Sequence, residues 1–292
     1  MTTGTFDGVH VGHKVILDHV VKTARRKGAE SVLFTFDPHP RTVLFPDDHG
    51  LKLLSSKEEK IRLLEQQGID HVIFHPFSKD FAKLSALEYV RNVLVDGMGV
   101  TTVIIGYDHR FGRNREGDFT KLLEFAEMFG FGVEEIPAQD IDDVNVSSTK
   151  IRKALASGDI ETANTYLGYN YSVDGIVIEG DGIGRTIGFP TANIQVNEPL
   201  KLIPGNGVYA VEVKVDGKSY PGMLNSGVRP TVSQTGKNQI EVHLIDTDQT
   251  LYGKQIEVTF VGRLRAESKF KNKEALIQQL EKDRLDALNM LK

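Results

Sequence analysis

In its first half the chain alternates between short, unbroken apolar runs and longer stretches in which apolar residues recur every three or four positions. Residues 31–36, 72–74, 101–105 and 133–136 are the short runs. Several are too apolar to have one wet face, which is how strands of a parallel sheet covered on both sides read. Between them, Ile16, Leu17, Val20, Val21 and Ala24 mark one face of a helix that Gly28 stops. Ser56 with Glu59, and Ser85 with Glu88, have capping-box spacing, so helices are expected to begin there and to end near Gly68 and Gly97. Strand then helix, repeated, predicts an α/β doubly wound parallel sheet.

Beyond residue 168 the period changes. Residues 208–215, 218–224, 240–245 and 256–261 read as short strands, with Asp216-Gly217 as a hairpin turn, and together they predict a small antiparallel β-barrel. A last amphipathic stretch carries Leu276, Ile277, Leu280, Leu288 and Leu291 and is expected to be a terminal helix packed over the barrel. An Ala- and Leu-rich helical segment, 148–166, precedes the change of pattern. The seam is therefore placed near Leu167 to Tyr171, giving domains 1–168 and 169–292 with no flexible linker between them.

A length of 292 residues suits two domains, each burying its own core. The net charge of -5 argues against broad electrostatic docking on nucleic acid or an anionic membrane, so any phosphate recognition is local. The chain has no cysteine, which removes disulfides, thiolate nucleophiles and thiolate metal sites. With no apolar run of spanning or signal-peptide type, a cytoplasmic protein is expected. The sequence leaves the oligomeric state open.

Two glycine-rich segments carry candidate chemistry. The first, TTGTFDGVHVGHK, sets Gly4, Gly8 and Gly12 around His10 and His13 and runs into the first helix. Glycines let backbone approach a phosphate chain, and a helix N-terminus offers it unpaired amides. Two histidines there could offset charge growing on a triphosphate, although the spacing alone also suits a surface loop or half a metal site. Asp108, Arg110 and Pro38-His39-Pro40 fall at the expected carboxyl ends of strands, where open α/β sheets bind ligands; His39 also reads as a plain turn residue.

The stretch TGTFDGVHVGH resembles the HxGH signature of nucleotidylyltransferases, and its FDGVHxGH form resembles the adenylyltransferase module of bacterial riboflavin kinase/FAD synthetases. TFDPHP at 35–40, GYDHRFGR at 106–113 and VSSTKIRKAL at 146–155 follow in the family's order. The resemblance implies catalytic roles for His10 and His13. It further implies nucleotide contacts from Gly4, Phe6, Gly12 and Asp108, phosphate ligands in Ser148, Thr149 and Arg152, and a flavin side formed by Pro38 and His39. Hydroxyls and a guanidinium at a helix start are good phosphate donors, while the bland reading of Ser148 is an ordinary cap. The family has several strand residues before Thr3, so a short or clipped first strand is expected. Asp140, Asp142 and Asp143 read as a solvated loop.

The second segment, GDGIGRTIGFPTANI, contributes Gly182, Gly184 and Arg185, suited to wrapping a phosphate chain. It has neither the strand–helix context of a dinucleotide fingerprint nor the GK[ST] ending of a P-loop. Pro190 forces an extended approach, and Thr191 and Asn193, two apart, would point the same way. Their oxygens suit Mg²⁺, or they are turn residues. GRTIGFPTANI, PGNGVYAVEV, NSGVRPT, IEVHLID and LYG together resemble the family's riboflavin kinase module. That implies a Greek-key barrel, an ATP–Mg²⁺ complex on Thr191 and Asn193, a flavin contact at Asn225, and Glu241 as general base. Glu241 alternates with Val242 and Leu244, so it faces away from them; an exposed strand carboxylate is the alternative. Ser226 stands where the family commonly has an aliphatic residue.

The expected activity is phosphorylation of riboflavin to FMN with ATP, then adenylyl transfer to FMN giving FAD and pyrophosphate, both with Mg²⁺. Riboflavin, FMN, FAD and ATP are the expected ligands, with no nucleic acid and no membrane. Two alternatives are a riboflavin kinase with an impaired N-terminal domain and a non-catalytic flavin-nucleotide sensor.

Overall fold

The apolar runs of the first half become parallel strands: β2 (Val32–Phe36), β3 (His71–His75), β4 (Thr102–Gly106) and β5 (Gly132–Ile136). The structure, a computed structural model, describes residues 1–47, 50–137, 146–180, 183–227, 239–247 and 251–292. β1 (Thr2–Thr3) pairs with β2, β2 with β3, and β4 with β5, all parallel. The Met1 carbonyl accepts from Ile104 N at 2.8 Å, and the Met1 amino group donates to the Thr102 carbonyl at 2.7 Å. The chain start therefore joins the two sheet pieces into the order β3-β2-β1-β4-β5. The first strand is two residues long.

Alternate residues of these strands serve two cores, which explains why the runs are continuously apolar. Leu33 and Ile104 pack with Phe6, Val9, Leu17 and Val20 on one face. Phe34, Val103 and Ile105 pack with Tyr89, Val90 and Leu122 on the other. The covering helices are α1 (Val11–Lys27), α2 (Pro40–Leu44), α3 (Lys57–Glu65), α4 (Ala86–Glu88, continuing as a π-helical stretch Tyr89–Val95) and α5 (Phe119–Phe129). Gly28 ends α1 in the left-handed conformation at φ 62, and both expected capping boxes form, Ser56 with Glu59 and Ser85 with Glu88.

In the second half β6 (Ser172–Ile178), β7 (Ala192–Val196), β8 (Gly207–Val215), β9 (Lys218–Gly227), β10 (Gln239–Leu244) and β11 (Gln255–Arg265) close an antiparallel barrel in the order β10-β7-β6-β11-β8-β9. Asp216 and Gly217 join β8 to β9 at φ 50 and 75, the positive pair a type I′ turn requires.

The helical segment expected at 148–166 is two helices, α6 (Ser148–Ser157) and α7 (Ile160–Leu167), separated at Gly158 (φ 78). Both belong with the barrel. Asn164 Nδ2 donates to the Phe260 carbonyl at 3.0 Å, and Arg263 reaches the carbonyls of Ser157 (3.1 Å) and Asn206 (2.7 Å). These bonds account for a division of the chain into Met1–Ser147 and Ser148–Lys292, whereas the change of sequence pattern lies at 168/169. The terminal helix α8 (Lys273–Met290) lays Ile277, Leu280, Ala287 and Leu288 on Ala210 and Met223. It is further held by the buried Asp283, which accepts from Arg265 Nε at 3.0 and 2.9 Å and from Nη2 at 2.8 Å. Among the described residues no helix is long and apolar enough to cross a membrane.

Candidate active sites

In the N-terminal unit, the turn from β1 into α1 is strained and braced from behind. Phe6 and Val9 take φ of 44 and 35 beside Gly8 at 81, values that cost a side-chain-bearing residue on the order of 1–3 kcal/mol unless the surroundings impose them. The brace is Asp7, 2% exposed, whose carboxylate accepts from Leu54 N at 3.0 Å and Ser55 N at 3.1 Å. Ser55 Oγ in turn accepts from Gly8 N at 3.1 Å. Lys60, also buried, donates from Nζ to the Thr5 carbonyl at 2.8 Å. Burial lowers the Lys60 pKa, and Asp7 and Asp37 oppose that shift.

This frame delivers the two histidines to one place. His10 is the N-cap of α1, its Nδ1 accepting from His13 N at 3.3 Å, and the two rings stack at 3.6 Å and 15°. Burial first, then the neighbouring His10 and Lys60, push the His13 pKa well below the usual histidine value. His13 is thus neutral at physiological pH, and its buried Nδ1 has no hydrogen-bond partner among the described residues. The first turn of α1 carries no acidic residue to compete with an anion.

The flanking candidates take ordinary structural places around the strand ends. His39 caps α2, its Nδ1 accepting from Arg41 N at 3.2 Å, and follows a cis Asp37–Pro38 bond. Beyond them Phe36, His75, Phe77 and Phe81 form an aromatic wall, with ring centroids 4.5 to 5.7 Å apart. Asp108 and Arg110 are exposed just past β4, as expected from their position. Ser148, Thr149 and Arg152 lie in the first turns of α6, in the second unit. Asp140, Asp142, Asp143 and Gly182 lie outside the described residues.

In the barrel, strand register assembles the site. Glu241 on β10 stands opposite Asn193 on β7 and Asn225 on β9, and directly opposed residues share a face. Val242 and Leu244 are buried, so Glu241 is on the other face, half-buried. A cavity of about 360 Å³ opens there, lined by Glu241, Asn225, Thr191 and His243, and on the far side by Phe270 and Leu276. A second cavity, of about 270 Å³, is lined by Arg185, Pro190, Val177 and Tyr252, and again by Thr191. Thr191 therefore borders both, while Val242 and Leu244 line the second, which lies on the face of β10 away from Glu241.

The glycines are needed where backbone or side chains come close. A Cβ at Gly184 would overlap the Phe189 carbonyl, and one at Gly180 would overlap the Asn193 amide. Ser226 is fully buried and donates to the Pro204 carbonyl at 2.9 Å, so the hydroxyl at this position is satisfied. Three residues escaped the sequence reading: Asp7, Lys60 and His243. Lys60 had a signal, since it lies four positions before the buried Leu64 on a helix, and His243 is in phase with Glu241 on its strand.

A parallel α/β unit with a paired-histidine glycine turn, followed by a β-barrel with two cavities that share one threonine, defines a two-site nucleotide-using transferase architecture. Residues 1–150 match the family model described as FAD synthetase, and residues 167–291 the one described as riboflavin kinase. The chain is 40% identical to the bifunctional riboflavin kinase/FMN adenylyltransferase of Listeria monocytogenes, covering 98% of this chain and 90% of that one. It is 38% identical to the Escherichia coli K12 protein of the same name (98% and 91% covered) and 37% identical to that of Bacillus subtilis (99% and 91%). Among solved structures it is similar to one titled a macrolide-efflux protein from Streptococcus pneumoniae, with TM-score 0.90 and 30% identity over 99% of this chain and 93% of that one. The chain belongs to the bifunctional riboflavin kinase/FMN adenylyltransferase family.

Proposed function

We propose that the barrel unit phosphorylates riboflavin with ATP, giving FMN and ADP, and that the HxGH turn serves the transfer of AMP from a second ATP to FMN, giving FAD and pyrophosphate. The observation that carries the kinase reading is the row Asn193–Glu241–Asn225, two of whose members line the first cavity, with Thr191 bordering both cavities. Riboflavin fits the cavity walled by Phe270 and Leu276, and the nucleotide fits the one holding Arg185 and Tyr252. The 5'-hydroxyl then meets the γ-phosphate beside Thr191, the residue that borders both. Glu241 takes the hydroxyl proton as the oxygen attacks phosphorus and the bond to the β-phosphate oxygen breaks. The Thr191 hydroxyl and Asn193 amide oxygen are hard, neutral donors that fit Mg²⁺ shared with phosphates; bound there, the ion supplies charge neutralisation. Gly184 and Gly182 are assigned to the phosphate wrap, and Asn225 to the flavin.

For the second step, an oxygen of the FMN phosphate attacks the α-phosphorus and pyrophosphate leaves. Because burial keeps His13 neutral, it acts through an N–H rather than a full positive charge. His10, Gly4, Phe6, Gly12 and Asp108 are assigned to the same nucleotide. Ser148, Thr149 and Arg152 are assigned as phosphate donors, and Pro38 and His39 to the flavin side. We place both steps in the cytoplasm. The test is to separate riboflavin, FMN and FAD after incubation with Mg-ATP. FMN followed by FAD with pyrophosphate is expected. FMN without FAD would leave a kinase alone, and flavin binding without turnover would indicate a sensor.

A further inference from the structure

His243 lies two residues after Glu241 on β10 and shares its face. The pairing of β10 with β7 runs from Ile240↔Ile194 through Glu241↔Asn193 to Val242↔Ala192 and stops there. One step further would set His243 opposite Thr191. At that step the side chain takes over from the backbone ladder: His243 Nδ1 lies 2.8 Å from the Pro190 carbonyl. The ring also meets Phe189 edge-on, at 5.2 Å and 61°.

The direction of this bond is fixed by chemistry. A carbonyl only accepts, so Nδ1 must carry the hydrogen whether the ring is neutral or charged. Pro190 contributes no N–H of its own. Residues 188–191 lie between a 3₁₀ turn, Ile183–Ile187, and β7, anchored at one side by Phe189 N donating to Gly184 O at 2.9 Å. His243 lines the first cavity, Pro190 the second, and Thr191 both. The imidazole thus grips the backbone at the partition between the two ligand spaces.

We propose that His243 is a positioning residue for phosphoryl transfer. Its Nδ1–H bond to Pro190 fixes the backbone that presents Thr191, and so sets the alignment of the terminal phosphate with the flavin hydroxyl. The inference rests on the kinase reading above. In-line transfer between two held reactants is sensitive to displacements of about 1 Å, so a slack partition lowers turnover more than it weakens binding.

The side-chain amide of asparagine places an N–H near the Nδ1 position, whereas that of glutamine reaches toward Nε2. The experiment compares His243→Ala, His243→Asn and His243→Gln in the full chain. It reads kcat and KM for FMN formation, riboflavin affinity from flavin fluorescence without nucleotide, and the thermal midpoint; the rate of FAD formation from supplied FMN serves as an internal reference. For His243→Ala, kcat is expected to fall about 10- to 100-fold with riboflavin affinity within about twofold of wild type. His243→Asn is expected to recover to within about threefold of wild type, and His243→Gln to track the alanine variant. Equal activity in all three variants, recovery by glutamine instead of asparagine, asparagine as impaired as alanine, or a loss confined to riboflavin affinity would each overturn the proposal. Wild-type protein that forms no FMN would refute the kinase reading itself, without reference to the variants.

Discussion

In the barrel, Asn193, Glu241 and Asn225 stand in one row because three strands pair in register. At the N-terminal turn, Phe6 and Val9 hold positive φ because Asp7 and Lys60 are bonded to chain elsewhere. The first site is a by-product of the fold's regular hydrogen bonding, shared over many bonds. The second is a strained loop whose shape depends on a few buried polar contacts, so single substitutions behind it should be felt at the chemistry. A regular scaffold needs only the right residue in the right phase; a strained one also needs a brace.

Removing chemistry without touching the register should give the largest effect. Glu241→Gln is expected to lower FMN formation about 10³-fold while ATP binding and conversion of supplied FMN to FAD persist; FMN formation near the wild-type rate would remove Glu241 from the reaction. The brace comes next. Asp7→Ala strands the buried amides of Leu54 and Ser55, which should cost about 3 kcal/mol in urea unfolding and lower FAD formation about 100-fold, with FMN formation retained. A variant that still makes FAD normally would show that the turn holds its own shape.

Smaller effects sharpen the contrast. Ser226→Ala in the barrel loses one buried bond to Pro204 and is expected to lower stability by about 1 kcal/mol with activity unchanged. In the N-terminal unit, burial lowers the His109 pKa from its ordinary 6.5 to about 4, and its Nε2 is buried with no partner among the described residues. Between those two pH values the unfolded chain binds a proton that the folded chain does not, so this histidine erodes stability as pH falls through the window and is without that effect above it. His109→Phe should therefore flatten the decline of the thermal midpoint between pH 7 and pH 5 by the equivalent of about 2 kcal/mol. An unchanged slope would place the proton elsewhere.

The sequence carried the elements well where periodicity is local. Gly28 ends α1, the Ser56 and Ser85 boxes form, and the continuous strands prove to face two cores. Non-local contacts were less legible. Helices α6 and α7 read as an appendage of the first half, yet Asn164 and Arg263 tie them to the barrel through partners about a hundred positions away. His10, His13 and Glu241 were visible as motif residues. The bracing roles of Asp7 and Lys60 were not, because a lysine in an amphipathic helix reads as solvated until its carbonyl partner at Thr5 is known, and the amides that Asp7 holds lie 47 and 48 positions away. His243 was masked in the same way, since the end of a ladder cannot be located from one strand.

The most direct test of two separable sites is complementation between single-site variants supplied with riboflavin and Mg-ATP. His13→Ala is expected to accumulate FMN without FAD, and Glu241→Gln to form neither, while the two variants mixed should yield FAD. FAD from either variant alone, or a mixture in which FMN accumulates and no FAD appears, would contradict the assignment of one step to each site.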